Sequence, residues 1–190
     1  MLPHAVFAAA FLYIVAMVTI RKARNDDYSA VCGLYYAITD GMLASGISNS
    51  WKHDIYPSEE FIKSAIASDT LYIGYENSVP ASVMVINREY NEGYEKAAWP
   101  SGIPMSDAVM IHALGVLPEF SGRGIAGAMT RYAITEAMMM GARVLRLDVI
   151  EDNKTAEHVY VSAGFVFAGA VSMFYEDTGW TPFRLFEYVL

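Results

Sequence analysis

Apolar positions change their period several times along the chain, and each change marks an element. Asn25-Asp26-Asp27 offers an N-cap and negative charge for a first helical turn. Behind it, Tyr28, Val31, Leu34, Tyr35 and Ile38 recur at spacings of three and four and predict a helix to about Ala44. Pro57-Ser58-Glu59-Glu60 starts a second helix, with Ser58 as cap and Phe61, Ile62, Ala65 and Ile66 as its apolar stripe. Short apolar runs predict strands at 18–22, 71–76 and 81–88, the last two joined through Asn77-Ser78-Val79-Pro80 as a hairpin. A long apolar strand at 108–116 leads through 118–124 into a helix ending near Met140. A strand at 144–150, a helix at 153–163 and strands at 165–175 and 183–189 complete the series. This strand–helix alternation predicts an α/β fold with a mixed, partly parallel sheet. Residues 45–56 and 89–104 read as loops, the second an aromatic insert with Tyr90, Tyr94 and Trp99.

The amino terminus breaks the pattern. Residues 5–20 are almost wholly apolar and are followed by Arg21-Lys22-Ala23-Arg24. As a helix, the run spans about 24 Å against a hydrocarbon core of about 30 Å. No positive charge precedes it beyond the terminus itself, as a signal peptide would require. Residues 17–22 read instead as a first strand, with Met17 as a natural start. This divides the chain into an extension, 1–16, and one domain, 17–190, with membrane association the lesser expectation.

Composition narrows the function. A formal net charge of -8 repels phosphate backbones, so nucleic acid is not an expected partner; it suits a cationic substrate, and equally suits solubility alone. A single cysteine, Cys32, allows no internal disulfide and fits the reducing cytoplasm. The four histidines show no H-E-x-x-H or Cys/His spacing, so no metal is expected, and no G-x-S-x-G elbow occurs. The run Met138-Met139-Met140 reads as core and rim filler.

The most informative stretch is Leu114-Gly115-Val116-Leu117-Pro118-Glu119-Phe120-Ser121-Gly122-Arg123-Gly124-Ile125-Ala126. A strand feeds a loop rich in glycine, and the loop opens a helix. The first amides of a helix lack internal acceptors and lie at the positive end of its dipole. Glycines let that backbone approach an anion, and Arg123 adds a full charge. The physics gives a phosphate cradle; an ordinary glycine-rich turn fits the same letters. No P-loop is present. The G-x-G-x-x-G match at 122–127 comes late in the chain, and only Asp148 offers an acidic residue at the distance a dinucleotide fold uses.

The loop resembles the pyrophosphate loop of the GNAT acetyltransferase superfamily, [QR]-x-x-G-x-[GA]. Gly124 and Ala126 stand at the small positions, and Ser121 departs from the usual Gln or Arg. A second segment, Asn153-x-x-Ala156-x-x-x-Tyr160-x-x-x-Gly164-Phe165, is similar to the superfamily's second coenzyme segment. The resemblance implies a GNAT fold: a mixed six- to seven-stranded sheet flanked by helices, with a splayed central strand pair. It implies acetyl transfer from acetyl-CoA, as co-substrate, to a primary amine by direct attack in a ternary complex. A non-catalytic acyl-CoA-binding or sensor module on the same fold is the alternative. The coenzyme is expected against the backbone of Leu114, Gly115 and Val116, the 121–126 amides including Gly122 and Ile125, and Asn153 and Ala156.

The nucleophile must be a neutral amine, which costs about 4–5 kcal/mol at pH 7 for a lysine-like pKa. A proton acceptor is therefore useful. Strict alternation puts Met110, His112, Leu114 and Val116 on one face, making His112 the preferred acceptor. In the second segment that carries the resemblance, Tyr160 is the preferred general acid for the thiolate; a core His and a core Tyr are the plain alternatives. Trp51, Tyr90, Tyr94, Glu95, Tyr175 and Glu176 lie in aromatic loops with carboxylates and are expected to contact a small-molecule or peptide amine; Tyr90, Tyr94, Glu95, Trp99, Tyr175 and Glu176 are expected to cage it as a cation, or else the aromatics tether their loops. A homodimer is common among relatives.

Overall fold

The computed structural model describes residues 18–46, 51–91, 93–175 and 179–190. The extension at 1–16, the start at Met17 and Glu176, expected to contact substrate, lie outside the described residues. Among the described residues, seven strands and four α-helices follow the predicted order: β1 (Val18–Lys22), α1 (Tyr28–Ala44), α2 (Glu59–Ala67), β2 (Leu71–Glu76), β3 (Val79–Asn87), β4 (Ala108–Val116), α3 (Ile125–Met139), β5 (Val144–Ile150), α4 (Lys154–Ser162), β6 (Val166–Tyr175) and β7 (Gly179–Val189). The sheet order is β1-β2-β3-β4-β5-β7-β6, with β4–β5 the parallel pair. That pair is joined only at Ala108–Val144, Val109–Leu145 and Met110–Arg146. Beyond Met110 the two strands part, as the splayed centre requires.

Local chemistry explains most boundaries. Ser58 Oγ accepts from Phe61 N–H at 3.1 Å and caps α2. Asp27 does not cap α1 in the expected way. Its carboxylate accepts from Arg24 N–H at 2.7 Å and pairs with Arg21 at 2.7 Å, and the Arg21 hydrogen bond holds its pKa down to about 2. The β2–β3 turn is tighter than predicted. Asn77 and Ser78 take φ of 50° and 67°, a two-residue hairpin turn, so Val79 and Pro80 belong to β3 opposite Glu76 and Tyr75. Strand β7 starts at Gly179, four residues earlier than expected, because Trp180, Thr181 and Pro182 pair with β6.

One face of the sheet carries α3 and α4. Met129, Ala133 and Ala137 of α3 and Tyr160 of α4 pack there on Val109, Ile111, Leu145 and Leu147. The other face is covered in two parts. Over β2 and β3, α1 and α2 bury Val31, Leu34, Ile38 and Ile62 against Ile73, Val83 and Val85. Over β4, β5 and β7, the insert buries Tyr94 with Met110, Val144, Phe183 and Leu185. A buried ion pair fastens the insert: Arg146 Nη2 lies 3.2 Å from Glu187 Oε2, donates to Ile103 O at 2.7 Å, and its guanidinium sits 4.1 Å from the Trp99 ring centre. Glu187 in turn accepts from Ser101 N–H at 2.6 Å. Trp99 is thus committed to Arg146 rather than to a solvent-borne cation.

Candidate functional site

The glycine loop is built from β4 outward. Leu117 N–H donates to Ala81 O, and a short 3-10 turn at Pro118–Phe120 follows. Gly41 of α1 packs on it so closely that a Cβ there would sit 2.0 Å from Pro118 Cγ. Gly122 and Gly124 take φ of 74° and 80°, a conformation that disfavours a side chain. A Cβ on either would meet no atom within 4 Å, so the loop faces open space. The first helical bond of α3 runs from Ala128 N–H to Gly124 O, leaving the amides of Ile125, Ala126 and Gly127 without an intrahelical acceptor. Two expected contributions differ. Ser121 N–H is spent on Pro118 O at 3.0 Å, so only its hydroxyl remains for an anion. Arg123 turns away, its Nη1 2.7 Å from Glu76 Oε2 and its Nη2 2.8 Å from Glu119 O. Its charge is matched by Glu76, and the cradle is one of amides. The side chain of Ile125 is core.

Upstream of the loop, β4 carries a bulge. Val83 pairs with Gly115 and Val85 with His112, so three steps on β4 oppose two on β3, and Ala113 takes φ 49°. Tyr35 OH donates to Ala113 O at 3.2 Å and holds the kink. Strict alternation fails here. Met110 and His112 keep one face, while Leu114 and Val116 pack with the α3 side. Gly115 accommodates a close approach, since a Cβ would lie 2.9 Å from Ile38 and 3.1 Å from Trp51.

Where β4 and β5 part, a cleft opens. His112, Leu114, Asp148, Asn153, Ala156 and Tyr160 line it, with Trp51 and Tyr56 on the α1 side and Asn91 and Phe183 on the insert side. Asn153 caps α4, its Oδ1 accepting from Ala156 N–H at 3.1 Å; the cap uses the oxygen and leaves the Nδ2 protons to donate. Tyr160 is 7% exposed, and burial, with the nearby Asp148 charge, raises its pKa and keeps it protonated. Trp51 stacks edge-on to Tyr35 at 5.6 Å, and its loop is tied to α1 by His53 Nε2, 3.0 Å from Asp40.

His112 has a defined tautomer. Its Nε2 lies 3.0 Å from Asn87 Oδ1 and 3.0 Å from Glu89 O. Asn87 Oδ1 already accepts from Glu89 N–H, so both neighbours are acceptors and Nε2 carries the proton. Nδ1 is then the basic nitrogen. Burial lowers the His112 pKa, opposed by the Asp148 charge.

Asp148 is the residue that sequence reasoning missed. Tyr94 OH donates to its Oδ2 at 2.6 Å, and Asn91 is its second side-chain hydrogen-bond partner. Desolvation raises its pKa against both. A signal existed: Arg146 and Asp148 stand two apart, on one face, in a strand otherwise apolar. Tyr94 is fully buried, so it offers no ring face to a cation and serves Asp148 through its hydroxyl. Tyr90 is exposed and stacks on Tyr94 at 6.4 Å, and Glu95 is exposed. Tyr175 ends β6 opposite Gly179. Among the expected substrate residues whose side chains are described, Trp51 lines the cleft, and Tyr90, Tyr94 and Glu95 are not part of its lining.

Among the described residues, no cluster of three or more metal-ligating side chains occurs, and no helix is long and apolar enough to cross a membrane. The profile of the Acetyltransferase (GNAT) family matches residues 42–165. An uncharacterised N-acetyltransferase of Methanocaldococcus jannaschii is 39% identical over 67 residues; the match takes in 35% of this chain and spans 30% of that protein. A GNAT-family acetyltransferase of Streptococcus agalactiae superposes with a TM-score of 0.72 at 19% identity, covering 91% of this chain and 95% of that one. A Salmonella typhimurium protein solved with acetyl-CoA superposes at 0.64 with 18% identity, covering 91% and 94%.

Proposed function

Because the chain belongs to the GNAT acetyltransferase family, whose co-substrate is acetyl-CoA, we propose that it acetylates a primary amine by direct attack in a ternary complex. One observation supports the reading: β4 leaves β5 after Met110, and the cleft so opened brings His112, on the strand that runs into the amide loop, together with Tyr160 of α4. The loop residues fit a diphosphate. Gly122 and Gly124 clear the approach, and the amides of Ile125, Ala126 and Gly127 need acceptors.

Acetyl-CoA supplies the acetyl group as a thioester: the amine nitrogen forms the new C–N bond as the C–S bond breaks. Asn153 Nδ2 and the backbone of β4 from Leu114 to Val116 hold the pantetheine arm, where β4 has no strand partner on the β5 side. A β4 amide, at Leu114 or Val116, polarises the thioester carbonyl. His112 takes one proton from the amine at Nδ1 and passes it to solvent. Tyr160, kept protonated by burial, gives its proton to the departing sulfur and is reloaded by the second proton that the nitrogen loses. A reducing compartment suits the lone Cys32, and we assign the protein to the cytoplasm.

The test is calorimetry with CoA, acetyl-CoA and NAD, followed by release of free thiol from acetyl-CoA with a panel of amines. Binding of CoA with amine-dependent thiol release is expected. CoA binding without release for any amine supports the acyl-CoA-binding module, and binding of NAD alone overturns both.

A further inference from the structure

Asp148 stands on β5 just past the point where β4 departs, in the same cleft lining as His112 and Tyr160. Both groups known to hold it, the Tyr94 hydroxyl at 2.6 Å and the Asn91 amide, are neutral donors. They orient a carboxylate without cancelling its charge. Among the described residues Asp148 forms no ion pair, and no Lys or Arg lines the cleft. The same strand shows the contrast: two residues earlier, Arg146 is matched by Glu187. A carboxylate drawn out of water without a counter-charge is costly, and a bound cation removes the cost. Resting on the acetyl-transfer reading, we propose that Asp148 docks the ammonium form of the acceptor, and that the acceptor class is amines with no carboxylate beside the reacting nitrogen. A free α-amino acid brings its own carboxylate to Asp148, in a cleft whose described lining includes no Lys or Arg to receive it. Docked there, the ammonium faces the wall that carries His112, which removes its proton.

The experiment pairs amines with their carboxylated parents, each parent carrying its only acylatable amine beside the carboxylate: tyramine with tyrosine, agmatine with arginine, phenethylamine with phenylalanine. Thiol release from acetyl-CoA is measured for wild type and Asp148→Asn. In at least one pair, wild type should favour the amine by about a hundredfold in kcat/KM, as expected where a charge is left unpaired in a closed site. The variant should raise the KM for that amine by about tenfold or more and shrink the preference, as loss of one partner of a charge pair does. Acetyl-CoA affinity should not change. Because desolvation opposes the Asp148 charge in the folded state, the variant should also melt at the same or a higher temperature at pH 7, which separates lost docking from lost folding. Equal response to both members of every pair, response to none, or a preference untouched by the substitution overturns the proposal. Failure of wild type to bind CoA overturns the acetyl-transfer reading instead.

Discussion

At the scale of single residues, the proposed mechanism turns on where protons sit in the cleft. Tyr160 is nearly closed off from water, which raises its pKa above the ordinary 10.0, so its hydroxyl keeps its proton, as the general-acid proposal needs. Tyr160→Phe keeps the ring and its packing on Phe165 and removes only that proton. We expect kcat to fall by about a hundredfold or more with acetyl-CoA affinity little changed; an unaltered kcat removes Tyr160 as the acid. His112 runs the other way. Burial lowers its pKa below the ordinary 6.5, so the unfolded chain binds the proton first as pH falls. Its contribution to stability is therefore complete above pH 6.5 and is lost as pH drops through the lowered folded value. The same titration should place an acid limb in kcat/KM below pH 6.5, where Nδ1 becomes protonated and stops accepting. His112→Gln should flatten that limb. A limb of unchanged position in the variant leaves His112 as a structural ligand of Asn87 and Glu89.

At the scale of elements, the loop between β4 and α3 is the part most sensitive to shape. Gly124 needs φ 80°, and the space beyond its Cα is open. Gly124→Glu imposes backbone strain of about 1–2 kcal/mol and sets a carboxylate among amides that await an anion. Calorimetry should show CoA affinity reduced more than about tenfold, the effect of one misplaced like charge in a phosphate site; normal affinity would mean that the diphosphate binds elsewhere. This loop was legible in the sequence because its determinants are adjacent: two glycines, a strand before and a helix after. Strands β2, β4 and β5 were legible to the residue for the same reason, each an apolar run bounded by turn chemistry. The β4 bulge was not. Nothing about alanine announces φ 49°, so periodicity carried Leu114 to the wrong face while placing His112 correctly. Contacts between distant segments were equally hidden. Tyr94 and Asp148 lie 54 positions apart, Arg123 and Glu76 47 apart. An aromatic insert read as a cation cage because its composition fits one, and composition does not say which rings face inward.

At the scale of the molecule, the proposed reading divides the sheet along its splay, and its acceptor side depends on a layer whose described residues form no regular secondary structure beyond two short 3-10 turns. The insert carries Tyr94 and Asn91 to Asp148, yet it packs on β4, β5 and β7 through few elements of its own. What fixes it is Arg146. That guanidinium is wholly buried, and its desolvation is met by Glu187, Ile103 O and the Trp99 ring together. Glu187 also receives Ser101 N–H and Oγ, so one carboxylate joins the sheet to the insert at both ends of the pair. Glu187→Gln preserves the shape and deletes the charge, leaving Arg146 uncompensated. Breaking one side of such a pair costs about 3–5 kcal/mol, to be read as a shift in urea denaturation. The loss should not be uniform. Amide exchange at residues 93–107 should accelerate ahead of α3 and the glycine loop, because the α3 face is built without this pair. Amine affinity should then fall with loss of the Tyr94–Asp148 contact, while CoA binding at the remote loop persists. A destabilisation below about 1 kcal/mol, the level of an exposed pair, would show instead that Trp99 and the Ile103 carbonyl suffice to hold Arg146. In that event the insert is secured by apolar packing of Tyr94 and Phe183, and amine and coenzyme binding should fall together or not at all.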